Sequence, residues 1–181
     1  RVRTFYHVNS VAMEDRNGTE LVLSACRYMR NTARLLIRGG EPRTMQVGRV
    51  EVTFLGPFSG PYHDHWPAEA DALVLPRRYG GLCLPAQEAA ALGLPIIMLD
   101  TDPYVDLVHP ALVVQGYARK QVHMKGGQFD IHACRPQLLA ARMDRLYDEP
   151  SIAVEASRMS DGWAEVHSWP ALLHCYDRIL R

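Results

Sequence analysis

No apolar run in this 181-residue chain approaches the roughly 18 residues needed to cross a bilayer, so no membrane span is expected. Net charge is missing as well. Lys plus Arg and Asp plus Glu both count 20, which leaves no global field to draw in a polyanion and excludes a dedicated nucleic-acid binder. The four cysteines, Cys26, Cys83, Cys134 and Cys175, form no CxxC pair. Neither a disulfide scaffold nor a zinc ribbon is indicated, and a reduced cytoplasmic chain with buried thiols is the expectation. Internal repeats, low-complexity segments and linkers are lacking too. The chain starts at Arg1 rather than Met, with no charged-then-apolar leader, and so reads as a fragment. What is present is a globular composition, 48% hydrophobic and 22% charged, sized for a single domain over residues 1–181.

Short apolar runs suited to buried strands alternate with helix-like stretches, the pattern of an α/β protein with a parallel sheet. About six strands are expected, near Arg3–Val8, Ala33–Arg38, Val50–Leu55, Ala72–Leu75, Pro95–Leu99 and Ala111–Val114. Their lengths suit a Rossmann-like sheet covered by helices on both faces. A first helix is read over Thr19–Arg30, where Leu21, Val22, Ala25, Cys26 and Met29 share a face. Pro85–Leu92 reads as a short helix with Pro in its first turn, Gly93 after its end and Pro95 as a stop. Gln115–His132 lacks a clear period and is read as a long loop. Helices are expected over Pro136–Tyr147, Ile152–Val166 and Trp169–Leu180, the last after Ser168 as N-cap.

The most informative stretch runs from Ala70 to Ala89: a buried strand, a loop holding Gly80 and Gly81, then a helix whose N-terminus faces that loop. Free N–H groups and the helix dipole make such a start an anion site, and glycines let a phosphate approach the backbone. Taken alone, the same glycines serve equally to make a tight turn. The run Tyr62-His63-Asp64-His65-Trp66 invites a metal reading, but no third ligand stands at a standard spacing, so no metal is expected. His7 closes the first strand, where it would line a cleft.

In order along this stretch stand Ala70-Asp71, Pro76, Gly81, Leu84-Pro85, Glu88-Ala89, Ala91, Gly93 and Pro95. This series resembles the donor-binding signature of the retaining GT-B glycosyltransferases of group 1 (GT4). Val50–Pro57 resembles that family's strand ending in a glycine near the nucleotide base, which assigns Gly56 and Pro57. His167-Ser168-Trp169 with Tyr176 resembles its closing helix. The resemblance covers the C-terminal half of such an enzyme and implies that an N-terminal acceptor-binding domain is absent here. It further implies a nucleoside diphosphate sugar as donor substrate, with no cofactor and no metal.

Carried over by position, Glu88 would hold the ribose hydroxyls, since a carboxylate accepts from two vicinal hydroxyls. The turn Gly80, Gly81, Leu82, Cys83 and Leu84 would cradle the diphosphate and the donor sugar, with Cys83 as a packing residue. Two positions depart from the pattern. Gly80 stands where the family has a glutamate that contacts the sugar, and Asn17-Gly18 stands where it has Lys-Gly. Arg16 supplies a cation next to Asn17, and Arg77 and Arg78 are further candidates. The implied activity is hexosyl transfer in the intact protein, the isolated domain being inactive. The alternative is a degenerate member that binds a ligand or a protein without catalysis. A doubly wound module for an unrelated nucleotide or protein is a third reading.

Overall fold

A computed structural model describes residues 1–9, 15–58, 60, 65–101, 103, 105–124 and 127–173. Six strands form one sheet in the order β3-β2-β1-β4-β5-β6. They are β1 (Thr4–Val8), β2 (Ala33–Val47), β3 (Val50–Gly56), β4 (Ala72–Val74), β5 (Ile96–Leu99) and β6 (Val113–Val114). Four helices accompany them: α1 (Thr19–Cys26), α2 (Leu84–Ala91), α3 (Pro136–Asp148) and α4 (Pro150–Val166). Residues 169–173 are helical as expected, with Ala171 N donating to Ser168 Oγ at 3.4 Å; the rest of that helix and Tyr176 lie outside the described residues.

The chain leaves β1 toward β2 on one side and β4 toward β5 on the other. Right-handed crossovers therefore place α1 and α2 on opposite faces of the sheet. Accordingly α1 packs with α3, and α2 with α4. The point where the strand order reverses lies between β1 and β4, and the loops after those two strands meet there, where open α/β sheets bind ligands. The strands are buried on both faces: Phe5, Tyr6, Leu35, Ile37, Leu73, Ile96 and Ile97 are sealed from solvent. This is why they read as continuous apolar runs.

The strand read over Ala111–Val114 is a 3-10 turn through Leu112, with only Val113 and Val114 pairing as β6, and three further elements differ from the sequence reading. The helix read over Thr19–Arg30 stops at Cys26; Arg27 to Arg30 turn toward β2, and the buried Asp144 carboxylate accepts from Arg30 N and Asn31 N. β2 does not end at Arg38. Its register with β3 is parallel from Ala33 opposite Val50 to Gly39 opposite Gly56, then reverses, with Arg43 opposite Phe54 and Val47 opposite Val50. Val50 thus has a partner on each side, so β3 lies between the two halves of β2. The reversal uses positive φ at Gly39 (100°) and Gly40 (78°), which L side chains rarely adopt. The third difference is Gln115–His132, which is not a loop. β7 (Tyr117–Met124) and β8 (Gly127–Ala133) pair as an antiparallel hairpin. Its residues are mostly exposed, so no buried face imposed an apolar rhythm on the sequence.

His7 does not line a cleft; it is sealed from solvent. Its Nδ1 lies 2.8 Å from Val74 O and its Nε2 2.8 Å from Thr19 Oγ1. Burial lowers its pKa to about 4, against the smaller opposing effect of the Val74 carbonyl. The ring is neutral, so Nδ1–H donates to Val74 and the Thr19 hydroxyl donates to Nε2. That single proton cannot also serve Asn9, whose amide stands 2.9 Å from the same hydroxyl, so Asn9 must turn its NH2 toward Thr19. The network ties β1, β4 and the start of α1 into one unit beneath the switch point.

A histidine whose folded pKa lies below its unfolded one binds fewer protons when folded, so its contribution to stability falls as pH drops from about 6.5 to about 4. The slope is about 1.4 kcal/mol per pH unit and totals ~3 kcal/mol. Urea unfolding of the wild type and of His7→Gln between pH 5 and 7 checks this: the variant is expected to lose that slope. Equal slopes would show that the His7 pKa is the same in the folded and the unfolded chain.

Candidate functional site

The loop after β1 and the loop after β4 are in direct contact. Gly18 has a φ of 77°, and a Cβ added there would stand 2.6 Å from the Pro76 carbonyl oxygen. Arg78 N donates to Arg16 O at 2.8 Å, joining the two loops by backbone. Only glycine permits this approach.

The two helix starts at this edge are not equivalent. At α1 the Asp15 carboxylate accepts from Thr19 N at 2.7 Å and from Glu20 N at 3.0 Å, so a protein anion already occupies that end. α2 begins after Cys83 with no side-chain cap and has Pro85 in its first turn. Its positive end is uncompensated and faces Gly80 and Gly81, which makes α2 the helix suited to a bound phosphate. An added Cβ at Gly81 would meet nothing within 4 Å, so the turn is open on that side.

Arg77 explains Gly80. This side chain is 5% exposed, and its guanidinium lies inside the turn. Nε donates to Tyr79 O at 3.2 Å and Nη2 to Leu82 O at 3.3 Å. Gly80 has a φ of 111°, and a Cβ there would stand 2.9 Å from Arg77 Nη2. An arginine from the preceding strand end therefore fills the space that a side chain at position 80 would need. Cys83 is sealed beneath the turn; burial raises its pKa, outweighing the nearby Arg77 and Arg16 cations, so it packs as a thiol and is no nucleophile. Leu82 and Leu84 are 68% and 54% exposed at the mouth of the turn.

Glu88 projects from the second turn of α2 and is half-buried. Its Oε2 accepts from Trp66 Nε1 at 3.2 Å. Trp66 packs on Tyr6 of β1 with ring centroids 4.8 Å apart. Beside it, His65 O accepts from Tyr6 Oη at 3.1 Å and from Arg38 Nη2 at 3.2 Å. Burial pushes the Tyr6 hydroxyl up to about 12 despite the neighbouring Arg38, so it stays a donor. Burial, followed by the Arg38 charge, lowers the pKa of His65, against the pull of Glu88. The sequence reading missed Trp66 because nothing in its spacing ties it to a helix 22 residues on. Of the run weighed as a metal site, Tyr62, His63 and Asp64 lie outside the described residues; among the described residues no group of three metal-ligating side chains forms.

The remaining assigned positions lie in the loop after β1 and at the end of β3. Asn17 is 4% exposed and donates from Nδ2 to Val8 O at 2.8 Å, so it braces the end of β1; its Oδ1 has no partner. Arg16 Nε is likewise buried without a partner. Gly56 and Pro57 end β3, three strand positions from β4 in the sheet, or ~14 Å at about 4.8 Å per strand. Gly56 is covered, since a Cβ there would stand 3.0 Å from Pro42 Cγ, whereas Pro57 is exposed.

A mostly parallel doubly wound sheet with an uncapped helix start and a glycine turn at its switch point is the Rossmann-like, C-terminal half of a GT-B fold. The chain belongs to the glycosyl transferases group 1 family, whose model matches residues 3–149. No curated protein sequence matches it. Among solved structures it is similar to a sucrose-phosphate synthase from Thermosynechococcus elongatus, with TM-score 0.71 and 19% identity over 99% of this chain and 45% of that one. It is also similar to Anabaena HepE in complex with UDP and glucose, with TM-score 0.64 and 11% identity over 89% of this chain and 43% of that one. A third likeness is to the C-terminal domain of a glycosyl transferase group 1 family protein, LpcC, from Francisella tularensis. There the TM-score is 0.62 at 12% identity, over 91% of this chain and 85% of that one. The chain thus spans about half the length of the synthase.

The Arg77–Gly80 pairing predicts that restoring a carboxylate at position 80 harms the fold. Gly80→Glu is expected to cost about 1–3 kcal/mol, because it forces a side chain into a positive-φ position against Arg77. Urea denaturation measures this; an unchanged midpoint would show that Arg77 yields the space freely.

Proposed function

We propose that the chain is the donor-binding half of a retaining glycosyltransferase that moves a hexosyl group from a nucleoside diphosphate sugar to an acceptor. The observation that carries this reading is the pairing, on one helix, of an uncapped N-terminus behind Gly80 and Gly81 with Glu88 held by Trp66. The diphosphate sits against the first N–H groups of α2, and Glu88 accepts the ribose hydroxyls, its carboxylate oriented by the indole. The base lies toward Pro57 at the far side of the sheet. Arg16 and the backbone donors of the turn oppose the charge that grows on the departing diphosphate, which is where a preorganised site lowers the barrier. The acceptor is held by an N-terminal domain, and the isolated half binds donor without turnover. No cofactor is required, and the intact enzyme works in the cytoplasm. Among the described residues no helix is long and apolar enough to cross a membrane.

A second reading, a non-catalytic member that binds ligand or protein, draws support from Gly80 and from Asn17, which is committed to Val8. The two readings share the nucleotide site and part at turnover.

Calorimetric titration with UDP, GDP and ADP tests the shared site. One diphosphate is expected to bind saturably, and Glu88→Ala to weaken it ~10- to 100-fold, the worth of one to two charged hydrogen bonds. Trp66→Phe keeps the packing on Tyr6 but removes the donor, and a loss of several-fold is expected. Indifference to every nucleotide overturns the reading.

A further inference from the structure

At the edge of the sheet opposite the glycine turn, where the parallel strands β1, β2 and β3 begin, lies a cavity of about 480 Å³. That is within the ~300–1,000 Å³ range of small-ligand sites. Arg3, Arg34 and Arg49 line it, together with Gln46, Glu51 and Tyr147. Each arginine stands at or next to the start of a different strand. The backbone holds those starts together: Arg34 N donates to Arg3 O at 2.8 Å, and Ala33 N to Arg49 O at 3.4 Å. Gln46 Nε2 donates to Gly48 O at 3.1 Å within the turn that leads to Arg49. A Cβ added at Gly48 would stand 2.9 Å from Cys26 O, so that turn is seated on the end of α1. The five residues of β1 separate this edge from the switch-point loops by ~16 Å, at about 3.3 Å per residue.

Three guanidinium groups share this cavity with a single carboxylate. Arg34 Nε lies 3.5 Å from Glu51 Oε1, whereas Arg3 and Arg49 have no ion-pair partner among the described residues. The neighbouring acids are engaged with other donors. Asp71 Oδ2 accepts from the Arg3 and Thr4 amides; Asp148 pairs with Arg30 through one oxygen and accepts from Asn31 Nδ2 through the other. Among the lining groups positive charge therefore exceeds negative by two, and a metal cation is repelled. A phosphate monoester carries close to two negative charges at neutral pH and three acceptor oxygens on one centre. Arginine forks bind such oxygens in pairs, so three forks can converge on one group. A dicarboxylate of equal charge spreads it over two separate groups. The space left over fits the organic body of the ester, with Gln46 and Tyr147 as neutral hydrogen-bonding groups and Glu51 as an acceptor for a hydroxyl.

We propose that this cavity is a second ligand site, which binds the phosphate monoester group of a small molecule through Arg3, Arg34 and Arg49. It shares no residue with the positions assigned to the nucleotide and does not rest on that reading. A molecule bound there touches neither the glycine turn nor Glu88, so it is not the donor.

Amide NMR titration of the full chain tests this, with glycerol 3-phosphate as the monoester and succinate as a dianion without phosphorus. Saturable shifts are expected at the amides of Arg34, Arg49 and Glu51, with an affinity for the ester at least ~5-fold above that for succinate. Arg34→Gln and Arg49→Gln are each expected to weaken the ester ~5- to 10-fold. Both arginines are exposed, and unchanged thermal midpoints verify that the fold persists. Shifts confined to Gly80, Gly81 and the start of α2, equal affinity for ester and succinate, or binding undiminished in both variants overturns the proposal. Sedimentation with phosphatidylcholine vesicles, with and without phosphatidic acid, separates the two sources of such a group. Pelleting that requires phosphatidic acid and both arginines assigns a lipid headgroup, and binding of the ester without pelleting assigns a soluble molecule. Diphosphate binding in calorimetry is expected to be unchanged in both variants, so the failure of either site leaves the other standing.

Discussion

The contact between Gly18 and Pro76 governs how the ligand edge is assembled, because an added Cβ would come to 2.6 Å from the Pro76 carbonyl oxygen. At that separation the two switch-point loops share one backbone geometry. Arg16 O accepts from Arg78 N, Arg78 O accepts from His132 N, and the chain of contacts runs from the end of β1 through the end of β4 to the root of the hairpin. Beneath it, His7 bridges Val74 and Thr19, so the start of α1 cannot shift without disturbing β4. A two-stranded hairpin is marginal by itself. Here its register is set by a neighbour that is itself fixed by a glycine contact, and this lets mostly exposed residues occupy defined positions.

Charge is distributed by the same economy. The chain is neutral overall, yet Arg77 and Arg78 are almost wholly buried at the ligand edge. Their guanidinium groups donate to carbonyls of the turn and the hairpin, so the cations are held where the backbone needs donors. At α1 a positive helix end is consumed by Asp15; at α2 it is left open. One uncompensated helix start, flanked by fixed positive charge, concentrates a local field that net charge does not report. Glu88 stands one turn further along α2, where its carboxylate accepts from Trp66 Nε1.

The parts of this architecture that were legible in the sequence are those where burial imposed a pattern. The six strand cores and α2, with its Pro85 and Gly93 punctuation, follow from apolar runs and breakers. The second half of β2 was not legible, because Gly39, Gly40 and Pro42 read as a loop and residues 40–46 are all exposed. Its alternation ahead of Gly48 was the available signal. The hairpin hid for a similar reason: a ribbon that is mostly solvated carries no apolar period, and the glycine pair at 126–127 was its turn mark. Family resemblance singled out Glu88 and the turn but not Trp66, whose contact with Glu88 depends on a fold-level approach to α2.

The departure at position 80 takes on a different meaning once Arg77 is considered with it. A glycine in place of an acid, seen alone, is a lost contact. Seen with a buried arginine whose Nη2 stands 2.9 Å from where the Cβ would be, it is half of an exchange. The arginine braces two carbonyls of the turn, and the glycine makes room for it. Such an exchange keeps the shape of the turn before α2 while leaving it without the carboxylate that the family pattern has at this position.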